Sequence, residues 1–314
     1  MISTEQVKRV AIVGAGVMGH GIAQVFAAAG LDTTLVATRE ESLSRAMRLI
    51  EQNLEMLAEF GRAKKDDIPP TLERIHPTTD LAVAVKDADF VLETIPEVPE
   101  AKKEMFSRLE DLCPDDAILS SNTSSLNVFE IAEIMDPKRL VICHWWLPAH
   151  ILPLVDVIPG PETSAEVVNQ TAALVERVGK KPIVMKKYFN PAIINRIQTN
   201  IGMAVSSLLE EGVASPEDID LAVKMSLGIR LPILGVVQTM DFTGLDTVYQ
   251  IMQGYGMSNK IIEEKYNLGH LGAKTSKGIY DYGDRSEAEI LAKRDRMYLK
   301  LLKQLEDMNA FDPV

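Results

Sequence analysis

The sequence has few of the features that mark metal-binding, secreted, membrane or nucleic-acid-binding proteins. Its two cysteines, Cys113 and Cys143, have neither the spacing of a metal site nor that of a disulfide framework. No apolar run approaches the roughly twenty residues that span a bilayer, and the N-terminus leads into a predicted strand rather than a signal peptide. The formal net charge of −12 argues against nucleic acid or an anionic membrane as partner, because both require a basic face. These absences favour a cytoplasmic protein with no metal site and with neither nucleic acid nor a membrane as its partner.

The chain does have an ordinary globular composition and enough length for two domains. It contains 314 residues, of which 46% are hydrophobic and 25% are charged. In the first half, short apolar runs alternate with helical patterns, which favours parallel βαβ units with helices on both sheet faces. We predict strands at VKRVAIV, DTTLVA, ADFVLETIP, AILSSN, RLVICHWW and LVDVIP, and helices between most of them.

The second half is almost entirely helical from Pro191 onward. One predicted helix has Ser215 as its N-cap and Pro216 at its first position. Earlier in the chain, Thr163 followed three residues later by Glu166 predicts a capping box. A boundary near residues 186–190 separates a doubly wound, mostly parallel α/β domain, residues 1–188, from an all-α domain, residues 189–314.

The strongest motif is a glycine loop placed directly after the first predicted strand and before a helix. In VAIVGAGVMGHG, Gly14 allows a tight turn, Gly16 lets the backbone approach a pyrophosphate, and Gly19 lets helix and strand pack closely. The N-terminus of the helix presents free N–H groups to the anion. In this strand–loop–helix context the motif predicts a Rossmann-type dinucleotide-binding domain.

The end of the second predicted strand bears on the choice of cofactor. An acidic residue is expected there to hold the adenosine ribose, but the sequence has Ala37, followed by Thr38 and Arg39. A missing carboxylate with an arginine nearby is the pattern that accommodates the 2′-phosphate of NADP. Arg39 is equally compatible with a solvated position at the start of a helix. On this feature we favour NADP over NAD.

Further segments occur in the order found in the 3-hydroxyacyl-CoA dehydrogenase family, which the chain resembles from about Val10 to Tyr282. They are VAIVGAGVMGHGIAQVFA, ADFVLETIPEVPEAKKEMF, ILSSNTSSL, CHWWLP, INRI, GLDT and LGAKTSKGIYDY. The resemblance implies an NAD(P)-dependent oxidoreductase of fatty acid metabolism, with an acyl-CoA or hydroxy acid as its substrate. It also implies a homodimer formed through the helical domain.

The resemblance also implies roles for individual residues. His144 matches the catalytic histidine and Asp156 matches its carboxylate partner. Ser124 matches the serine that binds the C3 oxygen of the substrate, and Asn195 matches the asparagine that completes the site. Together with the glycine loop, the resemblance makes the candidate cofactor-binding residues Gly14, Gly16, Val17, Met18, Gly19, Ala37, Thr38, Arg39, Glu93, Lys102 and Asn122.

The chemistry suits these residue types, although each also has a structural interpretation. A histidine can accept and release a proton near neutrality, and a carboxylate on its far nitrogen fixes the tautomer. A single histidine is otherwise a common hydrogen-bonded core residue, Ser124 a turn former and Glu93 a helix-start carboxylate. We expect His150 to line the pocket or to be structural. The two tryptophans, Trp145 and Trp146, are expected to be core or cleft wall.

Several positions depart from the family pattern. The usual HFFNP segment is HWWLP here, so Leu147 replaces an asparagine, and Asp156 is one methylene shorter than the usual glutamate. Pro191 stands at a normally glycine-like position, and the GPxE motif ends in Gln238. Leu147 and Gln238 motivate one alternative, a non-catalytic dinucleotide-binding or structural protein on the same scaffold.

Another alternative concerns the substrate. The segment LPLVDVIPGPETS resembles the branch that contains lambda-crystallin (L-gulonate dehydrogenase) and L-carnitine dehydrogenase, which oxidise small hydroxy acids without coenzyme A. A CoA substrate would need positive charge for its phosphates, for which Arg62, Lys64 and Lys65 are candidates. The same residues are compatible with a solvated basic turn. We predict a 3-hydroxyacyl-CoA dehydrogenase, with a small free hydroxy acid as the alternative substrate.

Overall fold

The computed structural model describes residues 7–312, and its central feature is one eight-stranded sheet. The strands are β1 Arg9–Val13, β2 Asp32–Val36, β3 Ile75–Thr78, β4 Phe90–Glu93, β5 Ile118–Ser121, β6 Leu140–Trp145, β7 Leu154–Pro159 and β8 Lys181–Val184. Their order across the sheet is β3-β2-β1-β4-β5-β6-β7-β8. All neighbours are parallel except β6 and β7, which are antiparallel. The predicted doubly wound, mostly parallel sheet is confirmed.

Helices connect the strands and make up most of the chain after the sheet. They are α1 Gly19–Ala28, α2 Glu40–Glu59, α3 Ile68–Glu73, α4 Leu81–Val85, α5 Pro99–Leu112, α6 Val128–Ile131, α7 Ala165–Arg177, α8 Ile193–Glu210, α9 Pro216–Met225, α10 Leu227–Thr243, α11 Leu245–Gly254, α12 Lys260–Asn267 and α13 Glu287–Asp307. None of the helices described in residues 7–312 is long and apolar enough to cross a membrane.

The sheet is buried on both faces, as a parallel sheet with helices on each side requires. Strand β1 shows this directly, because Val10 and Ile12 belong to one apolar cluster while Ala11 and Val13 belong to the other. All four side chains are at most 2% exposed. The near-continuous apolar run of the sequence is therefore explained by burial on two faces rather than one.

The edge strand β3 was not predicted from the sequence. Its residues IHPT alternate poorly, and only Ile75 is buried. Pro77 lies within it, a residue that sheets tolerate at an edge because it cannot donate a ladder hydrogen bond. The pairing of β3 with β2 therefore has a weak signal in the sequence.

Two predicted helix starts have different outcomes. Ser215 caps α9 by accepting a hydrogen bond from the Asp218 N–H, and Pro216 is its first residue, as predicted. The prediction that Thr163 caps α7 is wrong, because Ser164 accepts from the Val167 N–H instead. The Thr163 hydroxyl is engaged elsewhere, donating to the Leu140 carbonyl at 2.6 Å.

The chain divides into two compact units, residues 1–199 and 200–314, and the division falls within α8. The second unit is helical, with a small core in which Ala273, Tyr282 and Ile290 are buried. Its buried carboxylate, Asp241, accepts from the Tyr282 hydroxyl at 3.0 Å and from two backbone N–H groups. At Gly235 the backbone of α10 has a φ of 67°, which kinks the helix and favours glycine.

Candidate functional site

The first unit contains a cleft of about 980 Å³ at the carboxyl ends of the central strands. It opens where the strand order reverses, between β1 and β4, which is where ligands bind in doubly wound sheets. Its walls come from the loops after β1, β2, β4, β5 and β6 and from the start of α8. The predicted residues that line it are Gly14, Gly16, Val17, Met18, Ala37, Thr38, Lys102, Asn122, Ser124, His144 and Asn195.

The glycine loop has the shape that a pyrophosphate requires. A Cβ on Gly14, whose φ is 119°, would lie 2.7 Å from Thr94 Oγ1, and a Cβ on Gly19 would lie 1.7 Å from the Gly14 carbonyl oxygen. These two glycines are therefore needed for the turn and for close packing. By contrast, a Cβ on Gly16 would meet no atom within 4 Å. Since Gly16 lines the cleft beside the N-terminus of α1, the open space there fits a bound dinucleotide phosphate.

The adenosine end of the cleft differs from the sequence-based expectation. Ala37 and Thr38 line it after β2, but Arg39 is an exposed residue at the start of α2 and does not line it. Ser42 and Arg45, on the first turns of α2, line it instead. A helix places residues three and four positions apart on one face, and this periodicity could have identified Ser42 and Arg45 beside Thr38.

Glu93 and Lys102 form a buried ion pair at the end of β4. Lys102 Nζ lies 2.7 Å and 2.9 Å from the two carboxylate oxygens of Glu93, and the side chains are 1% and 0% exposed. The Ser121 hydroxyl and the Ile95 N–H also donate to Glu93, at 2.6 Å and 2.7 Å. Lys102 reaches the cleft whereas Glu93 does not line it. This geometry makes Glu93 the support of Lys102 rather than a direct cleft residue.

Glu97 is a cleft residue that the sequence did not reveal. Its carboxylate accepts from the Ser124 N–H at 2.6 Å, the Ser124 hydroxyl at 3.0 Å and the Thr123 hydroxyl at 2.9 Å. Desolvation raises the pKa of Glu97, but these hydrogen bonds and the charge of Lys102 outweigh it, so the pKa lies below its ordinary value. In the segment EVPE the sequence alone does not distinguish Glu97 from Glu100. The path of the loop after β4 places Glu97 in the cleft.

His144 and Asp156 meet because β6 and β7 are antiparallel and place them directly opposite each other. Nδ1 of His144 lies 3.2 Å from Oδ2 of Asp156. The residues are only 6% and 1% exposed, yet His144 lines the cleft. A buried carboxylate on Nδ1 leaves Nε2 as the nitrogen available to a ligand.

The two adjacent tryptophans have different surroundings: Trp145 is the last residue of β6, and Trp146 follows the strand. Trp145 is 1% exposed and its ring packs against Phe26 at a centroid distance of 5.5 Å. Trp146 lines the cleft, and its ring contacts the His144 ring edge-on at 4.8 Å. Trp145 also borders the cleft, so it is a core residue at the cleft wall, whereas Trp146 is cleft wall without being buried.

Ser124, Asn195 and Asn122 connect the loops around the histidine. Asn195 Nδ2 donates to the Ser124 carbonyl at 3.0 Å, so the start of α8 is tied to the loop after β5. Asn122 Oδ1 accepts from the Trp145 N–H at 2.7 Å. This hydrogen bond to the backbone fixes the end of β6, the strand on which His144 lies.

Other candidates lie away from the cleft. Arg62, Lys64 and Lys65 are exposed after α2 and do not line it. His150 packs beside Gly21 in the loop after β6 and does not line it either. Desolvation and the neighbouring His20 and Lys180 lower the pKa of His150.

Leu147 does line the cleft, with 57% of its surface exposed. Residues 7–312 hold no group of three or more His, Cys, Asp or Glu side chains placed to bind a metal ion.

Comparison with known proteins gives matches along nearly the whole chain. Residues 9–188 match the 3-hydroxyacyl-CoA dehydrogenase NAD-binding domain, and residues 193–282 match the C-terminal domain of the same enzymes. The chain is 34% identical over 290 residues to the probable 3-hydroxybutyryl-CoA dehydrogenase of Bacillus subtilis (strain 168), covering 90% of this chain and 99% of that protein.

Two further matches differ in what their names say they act on. A solved 3-hydroxyacyl-CoA dehydrogenase from Archaeoglobus fulgidus is 29% identical, with a TM-score of 0.81, covering 95% of this chain and 99% of that chain. The 5-formyl-3-hydroxy-2-methylpyridine 4-carboxylate 5-dehydrogenase of Mesorhizobium japonicum is 28% identical over 310 residues, covering 96% of this chain and 99% of that protein.

Proposed function

Because this chain belongs to the 3-hydroxyacyl-CoA dehydrogenase family and is an oxidoreductase acting on CH–OH groups with a nicotinamide dinucleotide, we propose that it interconverts 3-hydroxyacyl and 3-oxoacyl thioesters of CoA. The observation that carries this proposal is the His144 imidazole on the cleft wall, with Asp156 buried behind it at 3.2 Å. Because the chain is an oxidoreductase, the alternative of a non-catalytic scaffold is set aside.

In this proposal His144 is the acid and base of the reaction. Asp156 holds the Nδ1–H tautomer and stabilises the imidazolium, so Nε2 takes the hydroxyl proton during oxidation and returns it during reduction. The nicotinamide, when bound, supplies the hydride acceptor or donor. Ser124 and Asn195, which line the same cleft as His144, bind and polarise the C3 oxygen. For this the Ser124 hydroxyl exchanges its hydrogen bond to Glu97 for one to the substrate.

Support for the cofactor assignment comes from the end of β2. With Ala37 in place of a carboxylate, NADP is the proposed cofactor, and Thr38, Ser42 and Arg45 are the cleft residues that would hold its 2′-phosphate. The assignment to Arg39 is replaced, since its side chain does not line the cleft. Arg45 is exposed on α2, and a guanidinium suits a phosphate because it offers paired donors.

Arg45 and Arg39 form a matched pair of variants for this test. Arg45→Ala is expected to raise the KM for NADPH about tenfold while leaving the KM for NADH within twofold, and Arg39→Ala is expected to change neither. Equal or better wild-type activity with NADH, together with no effect of Arg45→Ala, would contradict the NADP assignment.

A small free hydroxy acid is the second candidate substrate, favoured by one observation. The basic residues predicted to hold CoA phosphates, Arg62, Lys64 and Lys65, do not line the cleft. The Mesorhizobium relative, whose name specifies a pyridine carboxylate, is a precedent for a substrate without CoA. Arg108, which lines the cleft from α5, would then be a candidate for the carboxylate of such a substrate.

A spectrophotometric screen separates the two substrate classes. NADH and NADPH oxidation is followed with acetoacetyl-CoA, longer 3-oxoacyl-CoAs and free 3-oxo acids of matched chain length. The thioester proposal predicts a kcat/KM at least a hundredfold higher for the CoA esters. A preference for the free acids would contradict it and support the second candidate.

We also propose that the protein is a homodimer formed through its helical second unit. Large apolar side chains are exposed on α8 to α11, among them Leu209, Met225, Val236 and Ile251, and exposed patches of this kind mark association surfaces. Light scattering after size-exclusion chromatography is expected to give twice the mass of one chain. A monomer at micromolar concentration would contradict the proposal.

A further inference from the structure

The catalytic pair of His144 and Asp156 has a third member in the cleft wall. Nε1 of Trp146 donates to Oδ2 of Asp156 at 3.0 Å. The same oxygen faces Nδ1 of His144 at 3.2 Å. One carboxylate oxygen of Asp156 therefore contacts both the imidazole Nδ1 and the indole N–H.

Strand geometry explains why Trp146 can reach this oxygen. Asp156 lies directly across from His144. Trp146 is the residue that follows β6, two positions after His144, and its ring contacts the His144 ring, so both lie on the same side. Trp146 is thus the diagonal neighbour of Asp156, at a separation that long aromatic side chains span. The edge-on contact of the indole with the His144 ring, at 4.8 Å and 69°, restrains the same imidazole from a second side.

Aspartate needs such a restraint for a physical reason. Rotation about its terminal torsion is broad rather than confined to staggered wells, so a single contact with Nδ1 leaves the carboxylate free to turn. A tryptophan N–H is a donor only, and an ionised carboxylate is an acceptor only. Their hydrogen bond therefore has one possible direction and fixes which oxygen faces the histidine.

We infer that Trp146 is a positioning residue, whose indole N–H holds the Asp156 oxygen that fixes the tautomer and orientation of His144. The inference rests on the proposed function, in which His144 is the acid and base. Trp145 serves as the internal comparison, because its indole N–H is buried with no hydrogen-bond partner among the described residues.

Nuclear magnetic resonance tests the contact in the free protein. The chain has two tryptophans, so the ¹⁵N spectrum has two indole signals, and the loss of one in Trp146→Phe assigns both. We expect Asp156→Asn to shift the Trp146 signal upfield and to leave the Trp145 signal in place. Unshifted signals in Asp156→Asn would overturn the inference.

The ¹⁵N signals of the two His144 ring nitrogens report the tautomer at a pH where the ring is neutral. These signals are assigned by their absence in His144→Gln. Wild type is expected to show only the Nδ1–H tautomer, and Trp146→Phe a mixture of both. The control is Leu147→Ala, which alters the same cleft wall and is expected to keep the single tautomer. A single tautomer in Trp146→Phe would overturn the inference.

Kinetics distinguish positioning from a simple wall. Trp146→Phe is expected to lower kcat about tenfold with KM within twofold, because misorientation of the base affects the chemical step. In an Asp156→Asn background the same change is expected to have no further effect on kcat, since residues that act as a unit are not additive. A raised KM with unchanged kcat would show that Trp146 only lines the cleft and would overturn the inference. If wild type turns over no substrate, the proposed function fails, while the resonance experiments still decide the contact.

Discussion

The buried pair of Glu93 and Lys102 permits a quantitative prediction for Lys102→Met. Methionine keeps most of the side-chain volume but removes the charge that lies 2.7 Å and 2.9 Å from the Glu93 carboxylate. The remaining donors, the Ser121 hydroxyl and the Ile95 N–H, are neutral and cannot balance a carboxylate that is 0% exposed. Removal of one partner of a buried pair costs about 3–5 kcal/mol, and we expect a loss of this size.

Urea unfolding followed by tryptophan fluorescence measures this loss in the unit that contains the pair. Both tryptophans lie in residues 1–199, so their emission reports the unfolding of that unit. The neighbouring Lys103→Met is the control, because its ion pair with Glu133 is 53% and 69% exposed and is expected to contribute less than about 1 kcal/mol.

A double variant, Glu93→Gln with Lys102→Met, isolates the buried charge. It is expected to recover most of the loss, because the fully buried carboxylate is then replaced by a neutral amide. The part that is not recovered includes the contact of Lys102 with Glu97, whose carboxylate lies 3.4 Å from Nζ and is 35% exposed. The reasoning would be refuted if Lys102→Met cost no more than Lys103→Met, or if the double variant were less stable than Lys102→Met alone.

Three further changes test the cleft. Gly16→Val is expected to leave the urea midpoint within error but to weaken cofactor binding at least tenfold by fluorescence titration, because a side chain there meets only the open cleft; unchanged binding would contradict the phosphate site. Gly19→Ala is expected to cost about 1–3 kcal/mol of stability, since its Cβ would lie 1.7 Å from the Gly14 oxygen; a neutral effect would show that the loop has another conformation. Because the pKa of Glu97 is lowered, its carboxylate stabilises the fold above its ordinary pKa. Wild type is therefore expected to be more stable than Glu97→Gln by about 1 kcal/mol at pH 7, after allowing for exposure. This difference in the free energy of unfolding should shrink on acidification below about pH 4.5. A difference that grows on acidification would contradict the lowered pKa of Glu97.

The sequence predicted those parts of the protein where local pattern and burial agree. The apolar run of β1 and the glycines after it are required by two-sided burial and by the crowding at Gly14 and Gly19. The edge strand β3 was missed because an edge places weak demands on side chains, and Pro77 lowers the signal further.

In the site, the sequence singled out His144 by the chemistry of its side chain, and the structure places it on the cleft wall; its role as acid and base stays a prediction. The sequence-based reasoning did not find Glu97, Arg45 or the link from Trp146 to Asp156. Those depend on the path of a loop, on helical phase and on strand register, respectively. A one-residue change of register would place Asp156 on the opposite face of the sheet, so this contact could not be derived from spacing alone.

The most direct test of the central claim is kcat/KM for the reduction of acetoacetyl-CoA by wild type and His144→Gln, with His150→Gln as a control. General acid–base catalysis contributes roughly 10²–10⁴-fold, so His144→Gln is expected to lose about a thousandfold. His150, which lies outside the cleft lining, is expected to be replaceable within about twofold. Near-normal turnover by His144→Gln would contradict the assignment of His144 as the acid and base.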